Sequence, residues 1–544
     1  MRVQASQLNL TIGDLAGNTA RVLQALERAR AARVEIVLFS ELTLTGYPPE
    51  DLVLDHSFIE AAEQQLRRIA PFTKDLFVVL GLPRKNPKTQ VKPLYNSAAV
   101  FIDGELVGFK NKTLLPTYDV FDEARLFEPG EAVGIFTFKN RKIAITICED
   151  AWQHSGNVGF ANYAVDPIQA LASQGVSLLL NLSASPYAYD RFSTRLAVFQ
   201  AAAMTLACPV VMCNQVGAND QLIFDGYSFC INGQGELVGQ APGFVEADLV
   251  VDLDALGAPV QMTRNLTEDL YQALVLGIRD YFHKQGFSRA LLGLSGGIDS
   301  ALVAALSCAA LGASNVMAFG LPTRFSSSSS HTDAALLAKN LGISLQMLSI
   351  DALFQTTLDL VAPHLRGPAL PITEENLQSR IRGLLLMALS NQWGSLLLNT
   401  GNKSEMAMGY TTLYGDMCGG LGVLLDVSKL RVYELARFIN REVEVIPRSI
   451  LEKAPSAELR PNQKDADTLP PYEILDPIIA DSVEEGMSPK EIGIKRGCEV
   501  AFVEGIVRKI HAAEYKRRQS PIGLRVTKKS FSKGRVVPIV QAWR

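Results

Sequence analysis

Residues 290–306, ALLGLSGGIDSALVAAL, constrain the fold of this chain more than any other segment. A short apolar strand leads into the turn S-G-G-I-D-S at residues 295–300, and an Ala/Leu/Val-rich helix follows. Two adjacent glycines allow a sharp turn and a close approach of the backbone to a ligand. The helix presents unpaired N–H groups and the positive end of its dipole, which suits an anion. Two hydroxyls and one carboxylate in this turn fit a pyrophosphate with a cation beside it. The sequence contains no Walker P-loop, G-x-x-x-x-G-K-[ST].

The composition indicates a globular chain with at least two domains. At 544 residues the chain is too long for one ordinary core, and 48% hydrophobic with 20% charged residues excludes disorder. A formal net charge of −4 gives no overall attraction for nucleic acid. Seven cysteines without a C-x-x-C pair predict reduced thiols rather than a disulfide framework.

Neither a signal peptide nor a membrane span is predicted. The N-terminal residues M-R-V-Q-A-S lack an apolar run and a cleavage site. The most apolar window, residues 197–213, is interrupted by Gln200 and Pro209. We therefore expect a cytoplasmic protein that binds neither membrane nor nucleic acid.

The first half of the chain alternates strands and helices, which predicts a layered α/β domain. Three of its residues carry chemistry. Glu41 follows an apolar strand, where a carboxylate without a partner is costly. Lys112 lies in the segment F-K-N-K-T-L-L-P, and Cys148 ends the apolar run K-I-A-I-T-I. Taken singly, they fit a strand-end acid, a surface lysine and a buried core cysteine.

Taken together, these residues lie in three motifs that resemble the nitrilase (carbon–nitrogen hydrolase) superfamily. The motifs are E-L-x-L-x-G-Y from Glu41, K-x-x-L-P-x-Y-x-V-F-D-E from Lys112, and I-C-E-D-x-W around Cys148. The resemblance covers residues 2–255 and implies an α-β-β-α sandwich with a Glu41–Lys112–Cys148 triad. In such a triad the Cys148 thiolate is the nucleophile and Glu41 the base. Lys112 and a backbone N–H beside Cys148 would stabilise the oxyanion.

Resemblance to the glutaminase branch of that superfamily implies glutamine as the substrate, hydrolysed through a thioester to glutamate and ammonia. It places Tyr118 and Glu149 at positions that hold glutamine. In the loop at residues 181–187 and beyond, Ser185 and Arg191 would bind the glutamine carboxylate, with Ser183 as the alternative to Ser185. The six histidines, His154 among them, have no metal-ligand spacing.

A domain boundary is predicted near residue 260, which gives domains at residues 1–260 and 261–544. Gly257 and Pro259 predict an irregular segment between the last strand of the first domain and the next helix. Thr267 then offers a capping hydroxyl for a helix whose first turn contains Glu268 and Asp269.

The second half reads as a doubly wound parallel sheet with its ligand at the carboxyl ends of the strands. Strands are predicted at residues 316–321 and 344–350, with a helix between them that ends at residue 341. Five serines at residues 326–330 fit either a solvated loop or a mobile cover over a nucleotide.

Five motifs of this half resemble the NAD synthetase family of ATP pyrophosphatases from residue 267 onward. They are SGGxDS, N-x-x-x-R-x-R from residue 376, T-G-N-K-S-E from residue 400, G-D-x-x-G-G from residue 415 and a segment containing Lys429. The resemblance implies magnesium binding by Asp299 and Glu405. It implies ATP binding by Ser295, Gly296, Gly297, Asp299, Ser300, Thr400 and Lys429, and binding of deamido-NAD by Asn376, Arg380, Asp416 and Lys516.

Two further segments belong to the same resemblance. Residues 453–456, K-A-P-S, resemble a loop that closes on the phosphates. The basic stretch at residues 516–535 fits a solvated face or a nucleic-acid contact, but in this context we interpret it as an attraction for anionic nucleotides.

The two halves together predict a ligase that amidates deamido-NAD with ammonia from glutamine, through an adenylated intermediate. ATP is the co-substrate and Mg²⁺ the cofactor. We expect ammonia to pass through a tunnel in the protein from Cys148 to the site of the adenylated intermediate. By analogy we expect a homodimer or a larger homo-oligomer. The alternative is a glutamine-dependent ATP pyrophosphatase that modifies another acid or nucleotide. GMP synthetases pair their cysteine with histidine, however, and tRNA thiolases need a cysteine pair.

Overall fold

The computed structural model describes residues 1–88, 91–156 and 162–543. The chain divides into two compact units, Met1–Arg264 and Asn265–Arg544. Each of the seven cysteines is a free thiol. Within the described ranges, none of the helices combines the length and the apolar character needed to cross a bilayer.

The first unit contains two six-stranded sheets with strand orders β14-β1-β2-β3-β4-β5 and β13-β12-β9-β8-β7-β6, and a hairpin of β10 and β11. Its strands are β1 (Arg2–Gln7), β2 (Ile36–Leu38), β3 (Phe77–Lys85), β4 (Leu94–Ile102), β5 (Glu105–Asn111), β6 (Ile135–Phe138), β7 (Arg141–Ile147), β8 (Leu178–Ser183), β9 (Val210–Asn214), β10 (Val216–Asn219), β11 (Leu222–Asp225), β12 (Phe229–Ile231), β13 (Leu237–Gln240) and β14 (Ala247–Asp252). Its helices are α1 (Leu15–Ala31), α2 (His56–Ile69), α3 (Glu123–Leu126), α4 (Pro167–Ala172) and α5 (Arg191–Leu206), with 3₁₀ turns at Glu50–Leu54, Ala70–Thr73, Cys148–Ala151 and Gln153–Ser155.

The two large sheets pack face to face with helices on their outer faces. Apolar residues of both sheets, such as Ile36 and Ile145, form one shared core. Helices α1 and α2 cover the outer face of the first sheet, and α4 and α5 cover that of the second. Central strands are buried on both faces, which explains their nearly continuous apolar runs. The predicted α-β-β-α sandwich is confirmed.

The second unit is built on a parallel sheet of five strands in the order β17-β16-β15-β18-β19. The strands are β15 (Ala290–Gly293), β16 (Val316–Gly320), β17 (Ser344–Met347), β18 (Leu396–Asn399) and β19 (Leu421–Gly422). The helices are α6 (Leu266–Gln285), α7 (Ile298–Leu311), α8 (Ser328–Leu341), α9 (Asp351–Val361), α10 (Pro371–Trp393), α11 (Lys403–Met408), α12 (Lys429–Ile439), α13 (Arg448–Glu452), α14 (Tyr472–Val483), α15 (Pro489–Arg496), α16 (Val500–Ala512) and α17 (Glu514–Arg517). Three 3₁₀ turns lie at Ala313–Asn315, Ala362–His364 and Asp465–Asp467.

The strand order of the second unit reverses at the pair β15 and β18. The predicted doubly wound sheet is therefore confirmed, and its switch point lies at the carboxyl ends of these two strands, where such folds bind their ligands.

Two local predictions in this unit are corrected. Helix α6 is capped by Asn265, whose side chain accepts the N–H groups of Thr267 and Glu268. Thr267 lies inside the first turn, so its hydroxyl is not the cap. The serine run is not a solvated loop, because Ser327 caps α8 and Ser330 is buried in its first turn. Ser326 and Ser330 line the cavity of this unit, and the mobile cover over a nucleotide stays a prediction.

Candidate active sites

In the first unit, Glu41 and Lys112 form a buried ion pair close to Cys148. Glu41 follows β2, and its Oε1 lies 2.7 Å from Lys112 Nζ. Lys112 Nζ also lies 2.8 Å from Glu123 Oε1, so the ammonium is held between two carboxylates. Asn96 on β4 donates to Glu41 Oε1 at 2.8 Å, and the Ala184 N–H donates to Oε2 at 3.2 Å. The carboxylate is thus fixed from three elements.

Cys148 begins a 3₁₀ turn directly after β7 and has a φ of +43°. This left-handed conformation is unusual for a residue other than glycine and turns the side chain out of the strand direction. Asp150 stabilises the turn by accepting the Ile147 N–H at 3.0 Å and the Thr113 N–H at 2.9 Å. The second of these bonds ties the turn to the segment that carries Lys112.

The electrostatics of this cluster keep the thiol neutral and the amine charged. Burial raises the pKa of Cys148, the charge of Glu41 raises it further, and Lys112 opposes both. Burial lowers the pKa of Lys112, but the charges of Glu123 and Glu41 outweigh it and hold that pKa well above its ordinary value. The thiol must therefore lose its proton when it attacks, and Glu41 is the carboxylate placed to receive it.

A second polar group surrounds Glu149, the residue after Cys148. Tyr118 donates to Glu149 Oε1 at 2.9 Å, and Tyr163 donates to the same oxygen at 3.1 Å. Burial raises the pKa of Glu149. Arg191 stacks its guanidinium 4.2 Å from the centre of the Trp152 ring. This arrangement fits a small polar substrate that carries its own charges.

Ser185 and Ser183 differ in how they are held. The Ser183 hydroxyl donates to Asn181 at 2.7 Å. Ser185 is held by its backbone, since its N–H donates to Asn214 Oδ1 at 2.8 Å and its carbonyl accepts from Arg195 at 3.3 Å.

Sequence reasoning missed three residues of this site: Glu123, Asn96 and Tyr163. Glu123 is the last residue of the motif that begins at Lys112. Its place in that motif is the one feature of the sequence that could have indicated a role in the site. Asn96 and Tyr163 lie on segments without a local pattern, and only the fold places them beside Glu41 and Glu149.

In the second unit, a cavity of about 310 Å³ opens at the carboxyl ends of β15 and β18. Most of the predicted nucleotide residues line it: Ser295, Gly296, Gly297, Asp299, Ser300, Thr400, Glu405, Asp416 and Lys429. The turn is held from within, because the Ser300 hydroxyl accepts the Ser295 N–H at 3.3 Å and donates to the Gly297 carbonyl at 3.1 Å.

Lys429 lies between the two carboxylates predicted to bind metal. Its Nζ is 2.5 Å from Asp299 Oδ2 and 3.8 Å from Glu405 Oε1. Asn402 caps α11 and donates to Asp299 Oδ1 at 3.0 Å, so the two turns are joined. Burial raises the pKa of Glu405 to about 8, and the charge of Asp299 contributes. Asp299 in the S-G-G-I-D-S turn and Glu405 near it offer carboxylate oxygens of the kind that suits Mg²⁺, which takes one or two protein oxygens together with phosphate oxygens.

The four residues predicted to bind deamido-NAD are arranged around one loop rather than on one wall. Arg380 donates to the Leu413 carbonyl at 3.1 Å, and Asn376 accepts from the Thr412 hydroxyl at 2.8 Å. Lys516 donates to the carbonyls of Gly409 and Thr411 at 2.7 and 2.6 Å. Of the four, only Asp416 lines the described cavity, and burial raises its pKa to about 6.

Comparison with known proteins assigns a family to each half of the chain. A carbon–nitrogen hydrolase family model matches residues 2–259, and an NAD synthase model matches residues 270–520. The glutamine-dependent NAD(+) synthetase of Synechocystis sp. is 46% identical over 99% of this chain and 99% of its own length. The chain belongs to the glutamine-dependent NAD(+) synthetase family.

Other members of this family support the same conclusion. The glutamine-dependent NAD(+) synthetase of Thermotoga maritima is 39% identical over 100% of this chain and 99% of its own length. The solved structure of an Acinetobacter baumannii glutamine-dependent NAD+ synthetase in complex with ADP superposes with a TM-score of 0.78. It is 36% identical and covers 100% of this chain and 99% of its own. The family predictions from both resemblances are confirmed: this is a ligase whose domains fit glutamine hydrolysis and ATP-dependent NAD synthesis.

Proposed function

We propose that the Cys148 site releases ammonia from glutamine and that the cavity of the second unit uses ATP to amidate deamido-NAD. The observation that carries this assignment is the buried Lys112–Glu41 pair beside Cys148, in the same chain as a cavity lined by the S-G-G-I-D-S turn. The Cys148 site suits acyl transfer to sulfur, and the cavity of the second unit suits the binding of phosphates. The domain division that we propose follows the predicted boundary near residue 260.

At the first site, the Cys148 sulfur attacks the glutamine carboxamide while its proton moves to Glu41. Lys112 and a backbone N–H stabilise the tetrahedral oxyanion. The intermediate collapses with expulsion of ammonia, which takes the proton back from Glu41, and leaves a thioester. Glu41 then removes a proton from water, the resulting hydroxide attacks the thioester, and glutamate leaves as the sulfur regains its proton.

Recognition of glutamine is assigned to the polar group around Glu149. The Glu149 carboxylate, held by Tyr118, suits the α-ammonium group of glutamine. Arg191 and Ser185 suit its carboxylate. We choose Ser185 over Ser183 because the Ser183 hydroxyl is already used in its bond to Asn181.

At the second site, a carboxylate oxygen of deamido-NAD attacks the α-phosphorus of ATP, and pyrophosphate leaves. Ammonia then attacks the adenylated carbonyl and releases AMP. Ser295, Gly296, Gly297 and Ser300 would hold the phosphates through the turn and the N-terminus of α7, with Thr400 and Lys429 as further ATP contacts. Asn376, Arg380, Asp416 and Lys516 would bind deamido-NAD at the loop they surround.

Mg²⁺ is part of this proposal. Asp299 and Glu405 would hold it, and when bound it neutralises phosphate charge. The support is the chemistry of the two carboxylates and their place beside the turn.

Oxygen-18 transfer tests the adenylation step. Deamido-NAD labelled in both carboxylate oxygens is incubated with the protein, ATP, MgCl₂ and ammonium chloride. We expect one label in AMP, one in the new amide of NAD, and none in pyrophosphate. Unlabelled AMP, or label in pyrophosphate, would exclude attack of this carboxylate on the α-phosphorus.

We further propose a cytoplasmic homo-oligomer that uses only small-molecule substrates and binds neither nucleic acid nor membrane. Helix α10 supports assembly because it exposes Ile372, Leu384 and Met387, which are 56%, 64% and 38% accessible. Light scattering of the full chain tests this: a mass near 59 kDa means a monomer and contradicts the assembly.

A further inference from the structure

Glu458 lies in the segment at residues 453–463, part of which lines the nucleotide cavity. Its carboxylate contacts the N-terminus of helix α8. Oε1 accepts the hydroxyls of Ser327 at 2.8 Å and Ser330 at 2.7 Å, and Oε2 accepts the Ser327 N–H at 3.3 Å. A carboxylate at a helix N-terminus is stabilised by unpaired N–H groups and by the helix dipole.

Lys453 joins the same cluster. Its Nζ lies 3.3 Å from Glu458 Oε1 and donates to the hydroxyls of Ser330 and Ser327. Burial pushes the pKa of Glu458 upward, but the hydrogen bonds from Ser330 and Ser327 and the charge of Lys453 outweigh it, so the pKa lies below its ordinary value. The carboxylate is therefore charged at neutral pH and holds the lysine by an ion pair.

Residues 456–463 form a turn that is held by hydrogen bonds within the segment and to helix α10. The Glu458 N–H donates to the Ser456 hydroxyl at 3.1 Å, and the Leu459 N–H donates to Gln463 Oε1 at 2.8 Å. Gln378 on α10 donates to the Leu459 carbonyl at 3.0 Å. Glu458 has a φ of +49°, a conformation that costs free energy for a residue with a side chain, so its contacts must compensate.

Helix α8 in turn lies directly against the S-G-G-I-D-S turn. A Cβ placed on Gly296 would lie 2.3 Å from the Ser330 carbonyl oxygen. Whatever is anchored to Ser327 and Ser330 is therefore anchored next to the phosphate-binding turn.

We propose that Glu458 is a positioning residue: it anchors the segment at residues 453–463 on α8 and thereby holds the Lys453 ammonium beside the phosphates of ATP. The inference rests on the proposed use of this cavity for ATP. Glu458 lines the same cavity, but its negative charge would repel phosphate, so in this role it acts through Lys453.

A double-mutant cycle tests this role. Glu458→Ala, Lys453→Ala and the double variant are compared with wild type in ammonium-driven NAD synthesis. Each single variant should lower kcat/KM for ATP by about tenfold, the size of one charged hydrogen bond. The double variant should be no worse than Lys453→Ala, because both changes remove one interaction. Multiplied losses in the double variant would overturn the proposal.

Trypsin cleavage after Lys464 in the nucleotide-free full chain provides a readout independent of activity. Cleavage should be faster in Glu458→Ala than in wild type or in Glu452→Ala, a control whose side chain is 71% exposed. Glu458→Gln keeps the shape without the charge and should show the same change if the alanine variant does not fold. Unchanged cleavage in both Glu458 variants would overturn the anchor. If wild type made no NAD from deamido-NAD, the proposed function would fail while the cleavage test would still report on the anchor.

Discussion

At the scale of single residues, the first site depends on charges that are buried but paired. Lys112 is about 1% exposed and lies between Glu41 and Glu123. Removing one partner of a buried pair leaves an uncompensated charge, which costs roughly 3–5 kcal/mol. The second carboxylate, Glu123, is thus as much a part of the cluster as Glu41, and the Tyr47 hydroxyl donates to it at 2.8 Å.

Glu123 gives this cluster a pH dependence. Burial raises its pKa to about 7, with the charge of Glu41 adding to the shift and Lys112 opposing it. Because the folded-state pKa exceeds that of the unfolded chain, this group stabilises the fold at low pH, and the stabilisation is lost as the pH rises through about 7. Glu123→Gln cannot ionise, so its melting temperature should fall less than that of wild type between about pH 5 and about pH 8.

Differential scanning calorimetry at a series of pH values measures this difference. Glu105→Gln, at an exposed position of β5, is the control and should follow wild type. Parallel curves for Glu123→Gln and wild type would show that Glu123 does not titrate in this range.

Tyr163→Phe removes one hydroxyl that holds Glu149. If Glu149 binds the α-ammonium group, KM for glutamine should rise about threefold to tenfold, the net size of one typical hydrogen bond, with kcat unchanged. Ammonium-driven synthesis should not change.

Glutaric acid monoamide, which lacks the α-amino group, provides the matched comparison for Tyr163→Phe. The KM for this amide should be nearly the same in wild type and variant. The difference in KM between glutamine and this amide should therefore be smaller in the variant. An equal rise in KM for both amides would mean that Tyr163 affects the shape of the pocket and not the binding of the α-ammonium group by Glu149.

The residue scale also marks the limit of sequence reasoning. Glu41, Lys112 and Cys148 were found because each lies in a recognisable motif. Asn96 and Tyr163 were not, because their importance arises from contacts made by the fold between residues distant in the chain. No local spacing carries that information.

At the scale of elements, the decisive one is the strand–turn–helix at residues 290–311. The sequence predicted β15, the turn and α7, because apolar runs separated by two glycines leave few alternatives. The caps were harder to predict. Asn265, rather than Thr267, caps α6, and the serine run at residues 326–330 begins α8. Several capping residue types stand side by side there, and tertiary packing decides which one is used.

Gly296 tests the turn at this scale. Its φ is +78°, and an added Cβ would lie 2.3 Å from the Ser330 carbonyl oxygen, a backbone atom. Gly296→Ala should therefore displace the turn and abolish NAD synthesis with either nitrogen source. Gly342→Ala is the control, since Gly342 has a φ of +67° but nothing within 4 Å of the added atom.

The Gly342 control separates the cost of a positive φ from the clash with the Ser330 carbonyl. Gly342→Ala should lower stability by about 1–2 kcal/mol, the cost of the left-handed conformation, and keep full activity. Similar mild losses in both variants, measured by steady-state kinetics and thermal melts, would show that the close approach of α8 is not needed.

At the scale of the whole molecule, strand order assembles the second site. Because β15 and β18 are neighbours, the turn after each strand reaches the same cavity, and Asp299 comes near Glu405. The sequence predicted a doubly wound sheet with its ligand at the strand ends, but not this order. It also did not predict that Asn376, Arg380 and Lys516 hold the loop at residues 409–416 from outside the cavity.

We expect the whole chain to carry two chemistries that a single substitution can separate. The most direct test is NAD formation from deamido-NAD, ATP and Mg²⁺, supplied with either glutamine or ammonium, in wild type, Cys148→Ala and Cys230→Ala. Cys230 is a second buried free thiol of the same unit and serves as the matched control. Cys148→Ala should lose glutamine-driven synthesis by a factor on the order of 10³ or more and keep ammonium-driven synthesis within about twofold. Glutamine-driven synthesis that survives in Cys148→Ala would exclude Cys148 as the nucleophile, and an equal loss with both nitrogen sources would show that the two chemistries are not separable.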